Sequence, residues 1–158
     1  MRKKIIVYIF MLAAISLSCE TGSAYTKQEM VNIYVKKAEY YSTKKVNRKL
    51  AIGYINKAIN LQKKNHQLYY KRAMILGKVG LYQHAVKAFG SFVDKKKFPH
   101  AVRFRADCFM ALGMYQQAVQ DYTAFLQNAP NDGKVWSYLA ETYALMGKSN
   151  LALQAISK

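Results

Sequence analysis

The sequence predicts an all-α solenoid of antiparallel helix hairpins, on three observations. The phrase "GLYQHAVKAFGSFV", from Gly80 to Val93, returns in close form as "GMYQQAVQDYTAFLQNAP", from Gly113 to Pro130. Gly80, Gly113 and Gly147 each precede an alanine by five residues, at Ala85, Ala118 and Ala152, and with Ala51 these alanines lie 34, 33 and 34 residues apart. Apolar residues recur every three or four positions around these landmarks, which is the period of one buried helix face. A unit of that length cannot bury its apolar face alone, so at least three must stack to make a continuous core.

The first 24 residues, "MRKKIIVYIFMLAAISLSCETGSA", stand apart from the repeats. A basic start at Arg2, Lys3 and Lys4, an apolar run from Ile5 to Leu17 and a small, polar ending make a secretory signal. The run of 13 residues is shorter than the about 20 that a membrane-crossing helix needs, so a permanent anchor is the weaker reading. Two cleavage outcomes compete. "ISLSC" resembles a bacterial lipoprotein box ending in Cys19, with Ser16 where leucine is usual and Leu17 one step late, and lipidation of Cys19 is the favoured outcome. "GSA" before Tyr25 offers small residues for ordinary signal peptidase, in which case the cysteine leaves with the peptide.

From Tyr25 onward the helices can be justified in turn. "LAIGYINKAINLQ" carries the Ala51 and Ile55 pair, an alanine with a large residue one turn on. Ala85 with Phe89, Ala118 with Tyr122, and Ala152 with Ile156 repeat it. In "HAVRFRADCFMALG", Val102, Ala106, Phe109 and Leu112 form one stripe, and Ala118, Tyr122, Phe125 and Leu126 form the next. Gly113 between them suits the left-handed conformation that ends a helix. The small Ala106 and Ala118 let paired helices approach closely, and the large residues fill the space beside them.

In "WSYLAETYALMG", Trp136, Leu139, Ala140 and Tyr143 follow W-x-x-L-G/A-x-x-Y, and Pro130 stands eight residues after Tyr122. This pattern resembles the tetratricopeptide repeat. After the signal at 1–24, the resemblance implies a right-handed superhelical solenoid of about three and a half to four repeats, with units near 32–65, 66–98, 99–132 and 133–158. It is strongest in the last two units. The first has Val35 and Ala38 in place but Glu39 and Ser42 where a small and an aromatic residue are usual, and the second has Arg72 where leucine is usual.

Composition and residue inventory exclude several function classes. The 158-residue chain carries 25 Lys and Arg against 8 Asp and Glu, a net charge of +17, which raises nucleic acid or an anionic membrane as partners. Secretion argues against nucleic acid. Cys108 is the only cysteine besides Cys19, so there is no disulfide framework, and its apolar neighbours make it a buried, unreactive thiol. His66, His84 and His100 are scattered without metal-ligand spacing, and no cofactor motif is present. The acids are not paired at helical spacing and no nucleophile sits beside a base, so no catalytic constellation can be named and the protein is expected not to be an enzyme.

Charge is unevenly distributed. From Tyr25 to Arg105 there are 19 Lys and Arg against Glu29, Glu39 and Asp94, a balance of +16; from Ala106 to Lys158 there are three against four, a balance of −1. The resemblance implies a concave face lined by the first helix of each hairpin and a protein-binding role. It places Lys36, Lys37, Tyr40 and Lys44 on that face in the first unit, and Tyr70, Lys71, Met74 and Lys78 in the second. His100, Arg103 and Asp107 follow in the third, and Lys134, Ser137, Tyr138 and Glu141 in the fourth. Some members clamp a peptide carboxylate with Lys and an Asn one turn on; here Tyr40, Met74, Asp107 and Glu141 occupy the Asn positions, so that clamp is not expected.

The expected function is an adaptor exported to the periplasmic side of a bacterial membrane, docking an acidic segment of a protein partner in the groove or along the basic half and supporting assembly of an envelope machine. Lys36, Tyr40, Lys44, Tyr70, Lys71, Lys78, Arg103 and Tyr138 are the candidate contact residues. The alternative is an anionic lipid or cell-wall polymer bound by the basic half, close to the membrane if Cys19 is lipidated. Leu151, Leu153 and Ile156 near the end of "LALQAISK" form an apolar edge expected to dock another copy or a partner.

Overall fold

A computed structural model describes residues 25–43, 47–90 and 98–158. Among these, eight α-helices and no strands occur: α1 Lys27–Thr43, α2 Arg48–Leu61, α3 His66–Lys78, α4 Tyr82–Gly90, α5 Pro99–Ala111, α6 Tyr115–Leu126, α7 Gly133–Leu145 and α8 Ser149–Ile156. Each odd-numbered helix packs on the even-numbered helix after it, and each hairpin packs on the next. Three of the first helices also meet directly, α1 with α3 and α3 with α5, so these three form one inner row. Cys19, the signal and Lys44 lie outside the described residues.

Local chemistry sets the helix ends. Ahead of α1, the Thr26 hydroxyl accepts from the Glu29 amide at 3.2 Å while Glu29 accepts from the Thr26 amide at 2.7 Å. This reciprocal pair is a capping box, and it holds the exposed Glu29 carboxyl below its ordinary range. Asn65 caps α3 by accepting from the Gln67 amide, and Asp132 caps α7 by accepting from the Val135 amide. The Trp136 indole donates to the Pro130 carbonyl at 2.7 Å, which ties α7 to the proline turn before it.

Three hairpins turn in the same way. Gly80, Gly113 and Gly147 have φ of 81°, 71° and 72°, the left-handed region that L side chains rarely adopt. At each, the glycine amide donates to the carbonyl three residues back and the following amide to the carbonyl five back: Gly80 to Gly77 and Leu81 to Leu76, Gly113 to Met110 and Met114 to Phe109, Gly147 to Ala144 and Lys148 to Tyr143. These are Schellman closures.

Packing follows the alanine pattern. Ala51, Ala85 and Ala118 are fully buried where paired helices touch, as are Ala38, Ala73, Ala106 and Ala140 on the first helices. Ile55, Phe89 and Tyr122 fill the space beside them, but Ile156, at the same place in α8, is 69% exposed. The first unit compensates for its unusual residues. Buried Ser42 satisfies its hydroxyl by donating to the Glu39 carbonyl at 2.7 Å, and aromatic bulk comes from Tyr54 stacked between Tyr34 and Tyr41 at 6.1 and 5.6 Å. In the third unit, Arg105 grips Asp121 with two hydrogen bonds of 2.6 and 2.7 Å, joining α5 to α6.

Candidate functional site

The inner row of first helices carries the candidate contact residues in unequal states. On α1, Lys36 is exposed, while half-buried Tyr40 lies edge-on to Tyr41 at 5.3 Å. Lys71 is not a free cation: its ammonium pairs with Glu39 of α1 at 2.6 Å. Lys78 at the end of α3 is exposed.

Tyr70 belongs to an aromatic cluster, stacked on Phe98 at 5.5 Å and set against Phe89 and Phe104 at 6.3 and 6.4 Å. Burial raises its phenol above the ordinary range, against a lowering pull from Arg103. The Arg103 guanidinium lies 4.5 Å from the Phe104 ring centre, so one cluster joins Tyr70, Arg103 and Phe104. Tyr138 stands elsewhere, on α7, tilted against Tyr122 at 6.0 Å with the Lys134 ammonium 5.9 Å from its ring.

Asp107 is the acid of this face that is bound to the core. It accepts the buried Tyr122 hydroxyl at 2.7 Å. Burial raises its carboxyl above the ordinary range, partly offset by that hydrogen bond and by Arg103 and Lys134. Next to it, burial and then the Asp107 charge push the Cys108 thiol up to about 11, so it stays protonated at neutral pH.

Between α3, α4 and α5 the structure places a partly open cleft of about 270 Å³. Its walls are Ala73, Met74, Gly77, Tyr82, Phe89, Phe104 and Cys108, with Lys78 and Asp107 as the charged members. Met74, Lys78 and Asp107 were legible as face residues from the repeat register; Gly77 and Phe104 were not. The signal for Gly77 was a glycine inside a helical stripe with no turn to make. Among the described residues no group of three or more His, Cys, Asp or Glu could hold a metal ion, and no helix is long and apolar enough to cross a membrane.

The hairpin stack can be compared with solved structures. MamA from MSR-1 superposes with a TM-score of 0.68 at 16% identity, over 84% of this chain and 74% of that one. MamA 41-end from Desulfovibrio magneticus RS-1 gives 0.70 at 11% identity, over 84% and 72%. YrrB, described as a TPR protein with an unusual peptide-binding site, gives 0.66 at 20% identity, over 80% and 66%. The chain has the tetratricopeptide-repeat (TPR) fold. No family model matches the sequence, and no curated protein matches it significantly. In TPR terms, α1, α3, α5 and α7 are the first helices of four hairpins, and the cleft opens between the second and third.

Proposed function

We propose that the protein is a non-catalytic TPR scaffold of the cell envelope that binds a protein partner through the basic part of its inner face. The observation that carries this reading is the grouping of exposed or half-exposed cations, Lys36, Lys78 and Arg103, with aromatic surface on α1, α3 and α5. The +16 balance of residues 25–105 favours an acidic partner segment, and YrrB supplies a precedent for a peptide site on the same fold. Aromatic side chains give large contact area at low entropic cost. Of the groups raised by burial, Tyr70 belongs to the aromatic cluster, Tyr122 is held by Asp107 and the Cys108 thiol stays protonated, which favours a binding role over catalysis.

In this reading the chain is exported to the periplasmic side of a bacterial membrane and held there through lipidated Cys19. Radiolabelled palmitate should enter the wild-type protein and not Cys19→Ala; a mature N-terminus at Tyr25 would rule the anchor out. The exposed Leu151, Leu153 and Ile156 of α8 form a second surface, for another copy or a partner. If the surface takes another copy, Leu153→Glu lowers apparent mass in a light-scattering concentration series; a strict monomer across that series, with Leu153→Glu harmless to every partner interaction, would refute it.

Crosslinking in cells, capture and mass spectrometry identify the partner, and surface plasmon resonance then tests the face. Lys36→Glu with Lys78→Glu should slow association and flatten its salt dependence, because peripheral charges act mainly on encounter. Salt-independent binding that ignores both substitutions would move recognition off the basic half. Co-sedimentation of the protein with anionic liposomes, without a protein partner, would instead favour the lipid reading.

A further inference from the structure

We infer that the cleft between α3, α4 and α5 receives one large apolar side chain of an extended, acidic peptide segment, and that Gly77 keeps it open. The inference rests on the protein-binding reading above and deepens it.

Glycine at position 77 is required by no turn. Its φ is not positive, unlike that of Gly80, Gly113 and Gly147. A Cβ built there would meet the Cys108 sulfur at 3.4 Å and the Ala85 Cβ at 4.0 Å, which is ordinary contact. A helical glycine loses more freedom on folding than alanine would, so the residue weakens α3 without relieving strain or a clash. What its missing side chain does provide is space in the cleft wall.

The size and lining of that space specify what fits. About 270 Å³ lies below the roughly 300–1,000 Å³ typical of small-molecule sites, and leaves room for a leucine, methionine or phenylalanine side chain together with part of the backbone that carries it. The walls are apolar, with Met74 able to adjust its shape to the occupant. Lys78 stands at the cleft and Arg103 lies on its Phe104 wall, so two cations outnumber the one acid, Asp107, and favour acidic neighbours beside the inserted residue over basic ones. The Asp107 carboxylate, already accepting from Tyr122, keeps acceptor capacity for a backbone N–H of the segment.

The test uses purified protein labelled with ¹³C-methyl methionine and acetylated, amidated pentapeptides Glu-Glu-Xaa-Glu-Glu, with Xaa as Leu, Phe or Ala, and Lys-Lys-Leu-Lys-Lys. The Met74 methyl signal should shift with the Leu and Phe peptides, much less with Ala, and not with the basic one. Gly77→Ala should raise the melting temperature yet weaken the Leu peptide roughly tenfold, as expected when a methyl group occupies part of a fitted apolar pocket. Because this variant is expected to be more stable, weaker binding could not be ascribed to misfolding. The inference is overturned if Gly77→Ala binds as wild type, if no acidic peptide moves Met74, or if Met74 shifts with protein concentration alone, which would assign the cleft to a second copy. If the peptides fail while a crosslinked partner still depends on Lys36 and Lys78, the scaffold reading survives and the pocket does not.

Discussion

Asp107 and Tyr122 show how one residue pair sets both packing and charge on the inner face. The Asp107 carboxyl is raised by burial, so the folded state holds its proton more tightly than the unfolded state does. Its contribution to stability is therefore present at pH below its unfolded pKa and is lost as pH rises through the higher folded value. Asp107→Asn should melt higher than wild type at pH 7, and the gap should close in acid; a melting series over pH checks this. Tyr122→Phe removes the 2.7 Å bond to a half-buried carboxylate and is expected to cost about 1–2 kcal/mol in denaturant unfolding. Arg105 and Asp121 are more enclosed, with side-chain exposures of 21% and 10%. Arg105→Ala strands the acid and should cost about 2–4 kcal/mol, whereas Arg105→Met with Asp121→Leu should cost less. Cys108, buried and pushed up to about 11, should react slowly with alkylating reagents at neutral pH, because the thiolate is the reactive form.

At the level of helices and turns, Gly113 gives the clearest expectation. At φ 71° an alanine is strained by about 1–2 kcal/mol, so Gly113→Ala should lower stability by that amount while Gly113→Asn costs less. Ala118→Leu would overpack the α5–α6 contact and lose about 1–3 kcal/mol. These landmarks were readable in the sequence because turns and close helix contacts restrict residue type over short spans. The start of α1 is also legible there, as the "TKQE" box of Thr26 and Glu29. Other features had no local signature. The Lys71–Glu39 pair joins residues 32 apart on neighbouring helices, and the stacking of Tyr70 on Phe98 crosses from α3 to the start of α5. A lysine or tyrosine assigned to a face by repeat register is not thereby free on it: Lys71 is paired and Tyr70 is partly consumed by the core. The cleft was hidden for the same reason, since three helices must be in place before the gap at Gly77 exists.

Across the whole molecule, three core clusters succeed one another, from α1–α3 through α3–α5 to α5–α8, while the charge balance falls from +16 to −1 at Arg105. One end of a continuous scaffold is therefore strongly basic and the other nearly neutral. A long-range field of this kind raises encounter rates with acidic partners and is screened by salt over about 8–10 Å under ordinary ionic conditions. Partner association should slow at least several-fold between low and high salt, with dissociation changing much less. The central claim is that the inner face of the basic half holds a protein partner, and site-specific photocrosslinking tests it most directly. A photoreactive amino acid would replace Met74 on the inner face in cells, with the exposed Gln83 of α4 and Gln120 of α6 replaced separately as controls. One strong adduct is expected at Met74, to a protein with an acidic segment, and little at Gln83 or Gln120. An adduct that forms at Gln83 or Gln120 and not at Met74 would contradict it.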